Sequence, residues 1–533
     1  MIKKIDRNSI DILEVLFNSG EYLSINDIRI KLKKDARALR SMQETLKSLV
    51  DNKRIIQEGA ASSTKYRIEN VERLYRRFDF IYVHKANCLA GILFKLDSNF
   101  EFYYTNKYII DLHPQIASLN LSIEPYVFEE IPAVFEENIP EGINKEILEV
   151  TNKTADEFEI LATLQDNIGD LYFSKSMEDV SYQEQVKSPS YLTILDSMLG
   201  SNSKINVLHD FTIKMKDKDL FPEGHDLTKL TQMKSDGISG FQYKKLVNID
   251  FKEKIIYHKD GESHLYILKP YSKIKADKNL ETYFPHISLN EHLFMSFAKN
   301  ELGFRVPYSA ILKTDESEYH YLVKRFDRYK VHRYAKATFA VYMGLRSERK
   351  YETTSEKLFT RIAKELISPT ERLELLKHYI YSIIIQHEDM HTKNLSLIFD
   401  KGKVLFSPLY DIASTGLYTT TKKYDSHLII NAKQKNIRPN DFKKLCNILK
   451  IDFKLFKETA INIAKIYQES LPSYIVEIRK LGHIPFYKMK QIKKVDRSPI
   501  WISDTTPLEF ADVLKIFHKK RVGELIKLGW IVE

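Results

Sequence analysis

Along the first 70 residues, apolar positions recur at helical spacing and then switch to strand spacing. Over 9–17, Ile10, Leu13 and Phe17 fall on one face, and Asn18-Ser19-Gly20 stops the helix. Ser24 is placed to cap a short second helix with Ile25, Ile28 and Leu32 inward. A third helix follows Asp35, with Leu39, Met42, Leu46 and Leu49 on its apolar side. Arg54-Ile55-Ile56-Gln57 and Lys65-Tyr66-Arg67-Ile68, separated by a turn at 59–63, read as a two-stranded wing. Three helices and a wing predict a winged helix-turn-helix domain over 1–70. Arg37, Arg40, Ser41, Gln43 and Lys47 on the third helix, with Lys65 on the wing, suit phosphate and base-edge contacts with DNA. A solvated face or a protein-interaction module would show the same pattern.

Residues 80–175 read as a small α+β module. From about 205, short strands alternate with turns up to Lys269-Pro270, a helix spans about 289–301, and strands lead to 321–327. Beyond 355 the pattern is mostly helical, interrupted by a hairpin over 395–406. A sheet-rich half followed by a helical half predicts two lobes, over 205–345 and 346–475. A module over 78–200 precedes them. A basic C-terminal tail over 476–533, carrying Lys488, Lys490, Lys493 and Lys494, follows.

The chain has 533 residues, 43% of them hydrophobic, which is ample apolar material for several cores. Cys88 and Cys446 are its two cysteines, too few for a disulfide framework or a cysteine zinc site. A reducing cytoplasm is the expected location. Charges interrupt the apolar positions at the N-terminus as no signal peptide would allow, and no apolar run is long enough for a membrane span. The net charge of +10 permits contact with polyanions without demanding it.

Residues 387–394, HEDMHTKN, fit two chemistries. His387-Glu388-x-x-His391 on a helix would aim two imidazoles at zinc. Asp389 followed five residues later by Asn394 is the spacing of base and metal ligand in a kinase catalytic loop. The preceding helix ends near His387, so the histidines fall on a loop, and no third zinc ligand stands out. Phosphoryl transfer needs more parts, and they occur in order. Residues 235–244 (SDGISGFQYK) form a glycine-containing turn before a strand. Lys269 ends an apolar strand, and Glu291 opens the following helix, where it can anchor that lysine. Residues 321–327 cross between the lobes, where an adenine-binding hinge belongs. Asp411 follows the hairpin as a second metal-binding carboxylate. Singly, each has a bland reading: an edge lysine, a helix-capping aspartate, a structural histidine.

These segments resemble the HipA family of bacterial serine/threonine kinases, the toxin half of toxin–antitoxin systems, over about residues 80–470. The resemblance is carried by 135–142 (FEENIPEG), 237–244 (GISGFQYK), 267–270 (ILKP), 323–328 (VKRFDR), 387–394 (HEDMHTKN) and 407–411 (SPLYD). It implies an α+β, two-lobed protein-kinase-like fold that uses ATP and Mg2+. Asp389 would be the catalytic base, with Asn394 and Asp411 as Mg2+ ligands. Lys269 would lie on the ATP phosphates, held by Glu291. Ser239, Gly240, Phe241, Gln242 and Lys244 would form the phosphate loop, and Lys324, Arg325 and Phe326 the adenine hinge. His391, Lys393 and Tyr410 would line the nucleotide side.

The family autophosphorylates a serine of the phosphate loop. Gly237 stands at one of the two usual serine positions, so Ser239 is the candidate here. Lys324 replaces the usual glutamate of the hinge. The resemblance further implies a protein substrate such as an aminoacyl-tRNA synthetase or another translation factor, with growth arrest as the outcome. A separate antitoxin and a homodimer are further expected partners, and a minority of such proteins carry a fused winged helix. The expectation is therefore an ATP-dependent serine/threonine kinase with fused DNA binding. The alternative is a transcriptional regulator that uses the kinase fold as a nucleotide sensor.

Overall fold

A computed structural model of the chain describes residues 5–70, 77–176, 188–199, 203–222, 236–237, 242–278, 283–315, 317–418, 421–495 and 498–532. The chain divides into two compact units, Met1–Glu136 with Ala155–Lys187, and Glu137–Thr154 with Ser188–Glu533. The module expected over 78–200 is thus split, because 137–154 packs with the second unit. Among the described residues, no helix is long and apolar enough to cross a membrane.

The first unit begins with helices α1 (Arg7–Ser19), α2 (Ile25–Lys31) and α3 (Leu39–Asp51). Helix α1 buries Ile10, Ile12, Leu13 and Leu16, whereas Phe17, expected inward, is 41% exposed. Ile10 and Leu13 face inward as expected, and Leu16 takes the place expected of Phe17. Ser24 caps α2 through a reciprocal box, its Oγ accepting from Asp27 N and its own N–H donating to Asp27 Oδ2. Strands β1 (Leu23–Ser24), β2 (Ile55–Glu58) and β3 (Lys65–Ile68) pair antiparallel in the order β1-β3-β2. The two expected strands therefore gain a third from the α1–α2 connection. Arg37 lies in a single 3-10 turn capped by Asp35, ahead of α3, and Arg37, Arg40, Ser41, Lys47 and Lys65 are all exposed.

A five-stranded antiparallel sheet completes this unit. Its strands are β4 (Asp79–Lys85), β5 (Cys88–Lys95), β6 (Phe100–Tyr104), β7 (Tyr126–Phe128) and β8 (Leu171–Ser174), in the order β7-β6-β5-β4-β8. Arg54, fully buried ahead of β2, ties the helical part to this sheet. Its guanidinium donates to the carbonyls of Tyr104 at 2.5 Å, Ile123 at 2.7 Å and Ser122 at 3.2 Å. Satisfying buried carbonyls this way makes a lone buried arginine tolerable.

The second unit holds a six-stranded sheet of β9 (Thr212–Lys214), β10 (Lys245–Asp250), β11 (Ile255–Tyr257), β12 (Tyr266–Lys269), β13 (Ser309–Asp315) and β14 (Glu318–Lys324). Its order is β9-β11-β10-β12-β14-β13. Val247, Ile256, Leu268, Ala310, Leu312 and Leu322 form the core on one face. Two helices precede the sheet in sequence, α4 (Gly142–Asn152) and α5 (Tyr191–Met198). Helix α6 (Ile287–Leu302) packs on β13 and β14 and is buried nearly all round.

The helical half is led by α7 (Pro369–Ile384), capped by Ser368 with proline at its first position, and α8 (Phe453–Lys480). A three-stranded sheet of β15 (Ala335–Thr338), β16 (Ser396–Asp400) and β17 (Lys403–Phe406) lies beside them.

The segment expected to be a basic tail is folded. Helix α8 runs on to residue 480, and α9 (Phe510–Leu528) packs along it. Phe510, Val513, Leu514, Phe517 and Leu525 supply its buried stripe, and Trp530 is fully buried, donating to Ile437 O at 2.7 Å. Lys490, Lys493 and Lys494 lie in a strand, Met489–Val495, paired antiparallel with Ser498–Ser503 ahead of α9.

Candidate active site

The site sits in the second unit, where strand ends, a helix start and two loops converge. Lys269 is the last residue of β12, and Glu291 lies in the first turns of α6. Lys269 Nζ donates to Glu291 Oε1 and Oε2, both at 2.7 Å, and to Asp411 Oδ1 at 2.5 Å. Lys244 Nζ lies 3.7 Å from Asp411 Oδ2. Burial pulls the Lys269 ammonium down, but Asp411 and Glu291 outweigh it and raise it above the ordinary lysine value. Burial pushes Glu291 up against the pull of Lys269. The surroundings would also raise Asp411, but Lys244 and Lys269 hold it well below the usual carboxylate range. Lys244 is lowered by its own burial.

Two further residues hold this arrangement in place. The main chain of Lys244 is clamped by Asn144 of α4, whose side chain accepts from Lys244 N at 3.1 Å and donates to Lys244 O at 2.9 Å. Asn290 bonds Ser414 both ways, at 2.8 Å and 3.0 Å, and so fixes the chain just after Asp411. Asp411 itself has φ 54, in the left-handed region that aspartate tolerates better than most residues.

The HEDMHTKN segment leaves the end of α7 as a loop and enters β16. His387 Nδ1 bonds Ala413 O at 2.8 Å, which ties the loop to the segment after Asp411. Asn394 donates to Asp389 O at 3.0 Å, so its carbonyl oxygen Oδ1 is left on the opposite side of the amide. Asp389 is exposed, and its Oδ1 accepts from Tyr351 at 2.6 Å. His391 Nδ1 accepts from Lys393 N at 3.2 Å, and burial lowers this imidazole to about 4. Lys393 and Lys350 both pair with Glu141, at 2.7 and 2.8 Å, and hold that carboxyl below its ordinary range against the opposing effect of burial. Glu388 accepts from the main-chain N–H groups of Lys422 and Tyr424, each at 3.2 Å, which makes it a brace for the loop.

The proposed hinge has a specific geometry. Lys324 N and Arg325 N donate to Tyr308 O and Leu265 O, at 2.7 and 2.8 Å. The Lys324 side chain reaches Ser197 O at 2.9 Å, and Arg325 forms a buried fork with Asp327 at 3.0 and 2.9 Å. Both side chains are thus engaged in structure. Phe326 packs 5.1 Å from Tyr410, whose hydroxyl donates to Lys393 O at 2.7 Å. Ser239, Gly240 and Phe241 lie outside the described residues. Gln242 is described, and its Nε2 is buried without a hydrogen bond among the described residues.

The structure brings Lys244, Lys269, Glu291 and Asp411 into one group, and Asp389, Asn394, His391, Lys393 and Tyr410 into a second that His387 ties to the segment after Asp411. Sequence reasoning assigned no role to Glu141, Asn144 or Tyr351. Glu141 stood inside a quoted motif without a chemical partner in view, and no spacing rule links Tyr351 to Asp389.

Oxygen donors from one carboxylate and one amide suit a hard cation such as Mg2+ far better than zinc. Asn394 Oδ1 and Asp411 fit that donor set. Among the described residues, no group of three or more His, Cys, Asp or Glu is arranged to hold a metal.

A sheet lobe with a buried lysine–glutamate pair, joined to a helical lobe that carries an aspartate–asparagine loop, defines a two-lobed, protein-kinase-like fold. Residues 237–474 match the HipA-like C-terminal domain. A Haemophilus influenzae protein described as "Putative kinase" is 29% identical over 195 residues, covering 34% of this chain and 53% of its own length. A Sinorhizobium fredii protein described as "Putative kinase Y4mE" is 32% identical over 107 residues, covering 18% of this chain and 26% of its own. The chain thus spans about half the length of the Haemophilus relative, and less of the other. The solved Shewanella oneidensis toxin–antitoxin complex of HipA, HipB and operator DNA contains a similar fold. Its match has a TM-score of 0.54 at 15% identity and covers 85% of this chain and 98% of that one.

Proposed function

We propose that this chain is an ATP- and Mg2+-dependent serine/threonine protein kinase with a fused DNA-binding winged helix. The observation that carries the reading is the Lys269–Glu291–Asp411 triad, at 2.5–2.7 Å, with the Asp389–Asn394 loop tied through His387 to Ala413, two residues after Asp411. Asp389 accepts the proton of the substrate hydroxyl. Asn394 Oδ1 and Asp411 would hold Mg2+, which would supply charge neutralisation for phosphoryl transfer. Lys269 and Lys244 meet the phosphates, Phe326 and Tyr410 wall the base, and His391 and Lys393 shape the catalytic loop. Catalysis rests on positioning and fixed charge, as phosphoryl transfer requires little covalent chemistry from the protein.

The family resemblance extends the proposal. Ser239 is the autophosphorylation site, the target is a protein of translation such as an aminoacyl-tRNA synthetase, and phosphorylation arrests growth. An antitoxin is a proposed partner by analogy with the Shewanella complex, in which HipA assembles with HipB and operator DNA. The helices and three-stranded sheet of residues 7–68 support a DNA-binding module that uses Arg37, Arg40, Ser41, Lys47 and Lys65; the dimer and the cytoplasmic location rest on the family resemblance alone.

The test is the intact mass of wild type and Asp389→Asn before and after Mg2+-ATP. A phosphate gained by wild type alone supports the kinase, and its location at Ser239 supports self-control. Equal labelling of both proteins removes Asp389 from its assigned role. A second reading, a regulator that senses nucleotide without transfer, is favoured by the exposed arginines of the first unit. It requires a DNA footprint that responds to ATP while no phosphate moves.

A further inference from the structure

Asp389 has one carboxylate oxygen already engaged. Tyr351 Oη donates to Asp389 Oδ1 at 2.6 Å, a short, charge-assisted hydrogen bond. Nothing in the motif pattern assigns this tyrosine, which stands 38 residues before the aspartate. The contact is built rather than incidental. The Tyr351 ring meets the edge of His391 at 5.0 Å and packs near His427 at 4.8 Å. The main chain beside it is pinned to the catalytic loop, because Thr392 Oγ1 donates to Lys350 O at 2.8 Å. Lys393 Nζ reaches Ser347 Oγ at 2.6 Å, which holds the start of the same segment. The side chain of Lys350 is fixed by Glu141. Five separate contacts therefore place a phenol donor on the base.

An exposed aspartate at a loop tip has free rotation about its side-chain bonds, and a general base works only when its accepting oxygen faces the incoming proton. A donor that fixes Oδ1 leaves Oδ2 as the accepting oxygen. We propose that Tyr351 is a positioning residue for phosphoryl transfer, orienting the Asp389 carboxylate so that Oδ2 receives the proton of the substrate hydroxyl. This inference deepens the kinase reading and rests on it. Burial, followed by the neighbouring Asp389, raises the Tyr351 phenol, so it remains a proton donor throughout the working range.

The test compares wild type, Tyr351→Phe and Asp389→Asn in Mg2+-ATP, with dephosphorylated casein as acceptor and self-labelling followed in the same reaction. Tyr351→Phe keeps the ring between His391 and His427 and removes only the donor. The expected result is a roughly tenfold to hundredfold lower kcat with KM for ATP unchanged and the thermal midpoint preserved, the scale of one lost charge-assisted hydrogen bond. Wild-type kcat in Tyr351→Phe would overturn the inference while leaving the kinase standing. Phosphate recovered on Tyr351 itself would also overturn it, since the phenol would then be an acceptor. No transfer by wild type to casein or to itself would remove the kinase reading, and this inference with it.

Discussion

Lys269 Nζ lies 2.5 Å from Asp411 Oδ1, a contact that joins the end of a sheet strand to a loop 142 residues later. The same ammonium is shared with Glu291 on α6, so one cation ties three elements together. Lys269 and Glu291 side chains are each 5% exposed. A buried group of this kind depends on its shared cation, because removing Lys269 takes from Glu291 its ion-pair partner and leaves Asp411, among the described residues, with Lys244 alone, at 3.7 Å.

Lys269→Met is expected to abolish phosphate transfer and to lower stability by about 3–5 kcal/mol, the scale for breaking a buried ion pair. Urea unfolding of the full chain, alongside transfer assays, checks both. A variant as stable as wild type would show that Glu291 and Asp411 find other partners.

Acidification should destabilise the second unit before its carboxylates titrate. Burial lowers His286, His320 and His391 to about 4 and His292 to about 3. His292 and His320 also accept main-chain N–H groups, from Asn206 and Tyr271 at 2.9 and 2.8 Å, which requires neutral rings. Their folded values lie below the unfolded value of about 6.5, so the unfolded chain takes up protons first as the pH drops. This stabilisation is complete above about pH 6.5 and is lost as pH falls through about 4, by up to about 2 kcal/mol per histidine at pH 5. Urea midpoints at pH 7.5 and pH 5 measure it. Equal midpoints would mean that these rings charge without cost.

Arg521 is another single point of failure. Its side chain is 2% exposed, and it donates to Ile383 O at 2.6 Å, Ile384 O at 3.1 Å and Asp425 at 2.9 Å. Arg521→Met leaves Asp425 buried and two carbonyls at the end of α7 without this donor. A loss of about 3–5 kcal/mol is expected. Chain ending at residue 480 should be insoluble or partly unfolded, which expression and circular dichroism would reveal. A stable, active truncation would return α9 to the status of an appendage.

Arg37→Ala with Arg40→Ala tests the first unit. If both meet phosphate, affinity for the protein's own promoter DNA falls and the slope of log affinity against log salt flattens by about 2. Fluorescence anisotropy over a salt series reads this directly, and an unchanged slope excludes both arginines from the interface.

Sequence by itself determined what depends on short-range chemistry. Ser24 and Asp27 cap each other three residues apart, so the start of α2 was legible. The stop after α7 and the spacing of Asp389 and Asn394 along one loop were legible for the same reason. The order of Lys269, Glu291, Asp389, Asn394 and Asp411 could be read because each sits at a recognisable junction of strand, helix or turn. Tertiary structure alone decided which charges meet. Lys393 finds Glu141 across 252 residues, Tyr351 finds Asp389 across 38, and Arg521 finds Asp425 across 96. Periodicity ranks faces but does not fix their rotation, which is why Phe17 turned out exposed and Ile12 and Leu16 buried. Lys490, Lys493 and Lys494 near the C-terminus lie in a strand, Met489–Val495, and the helix that follows them needed α8 to pack against. Capping and period act within a few residues, whereas burial and ion pairing are settled only when distant elements close on one another.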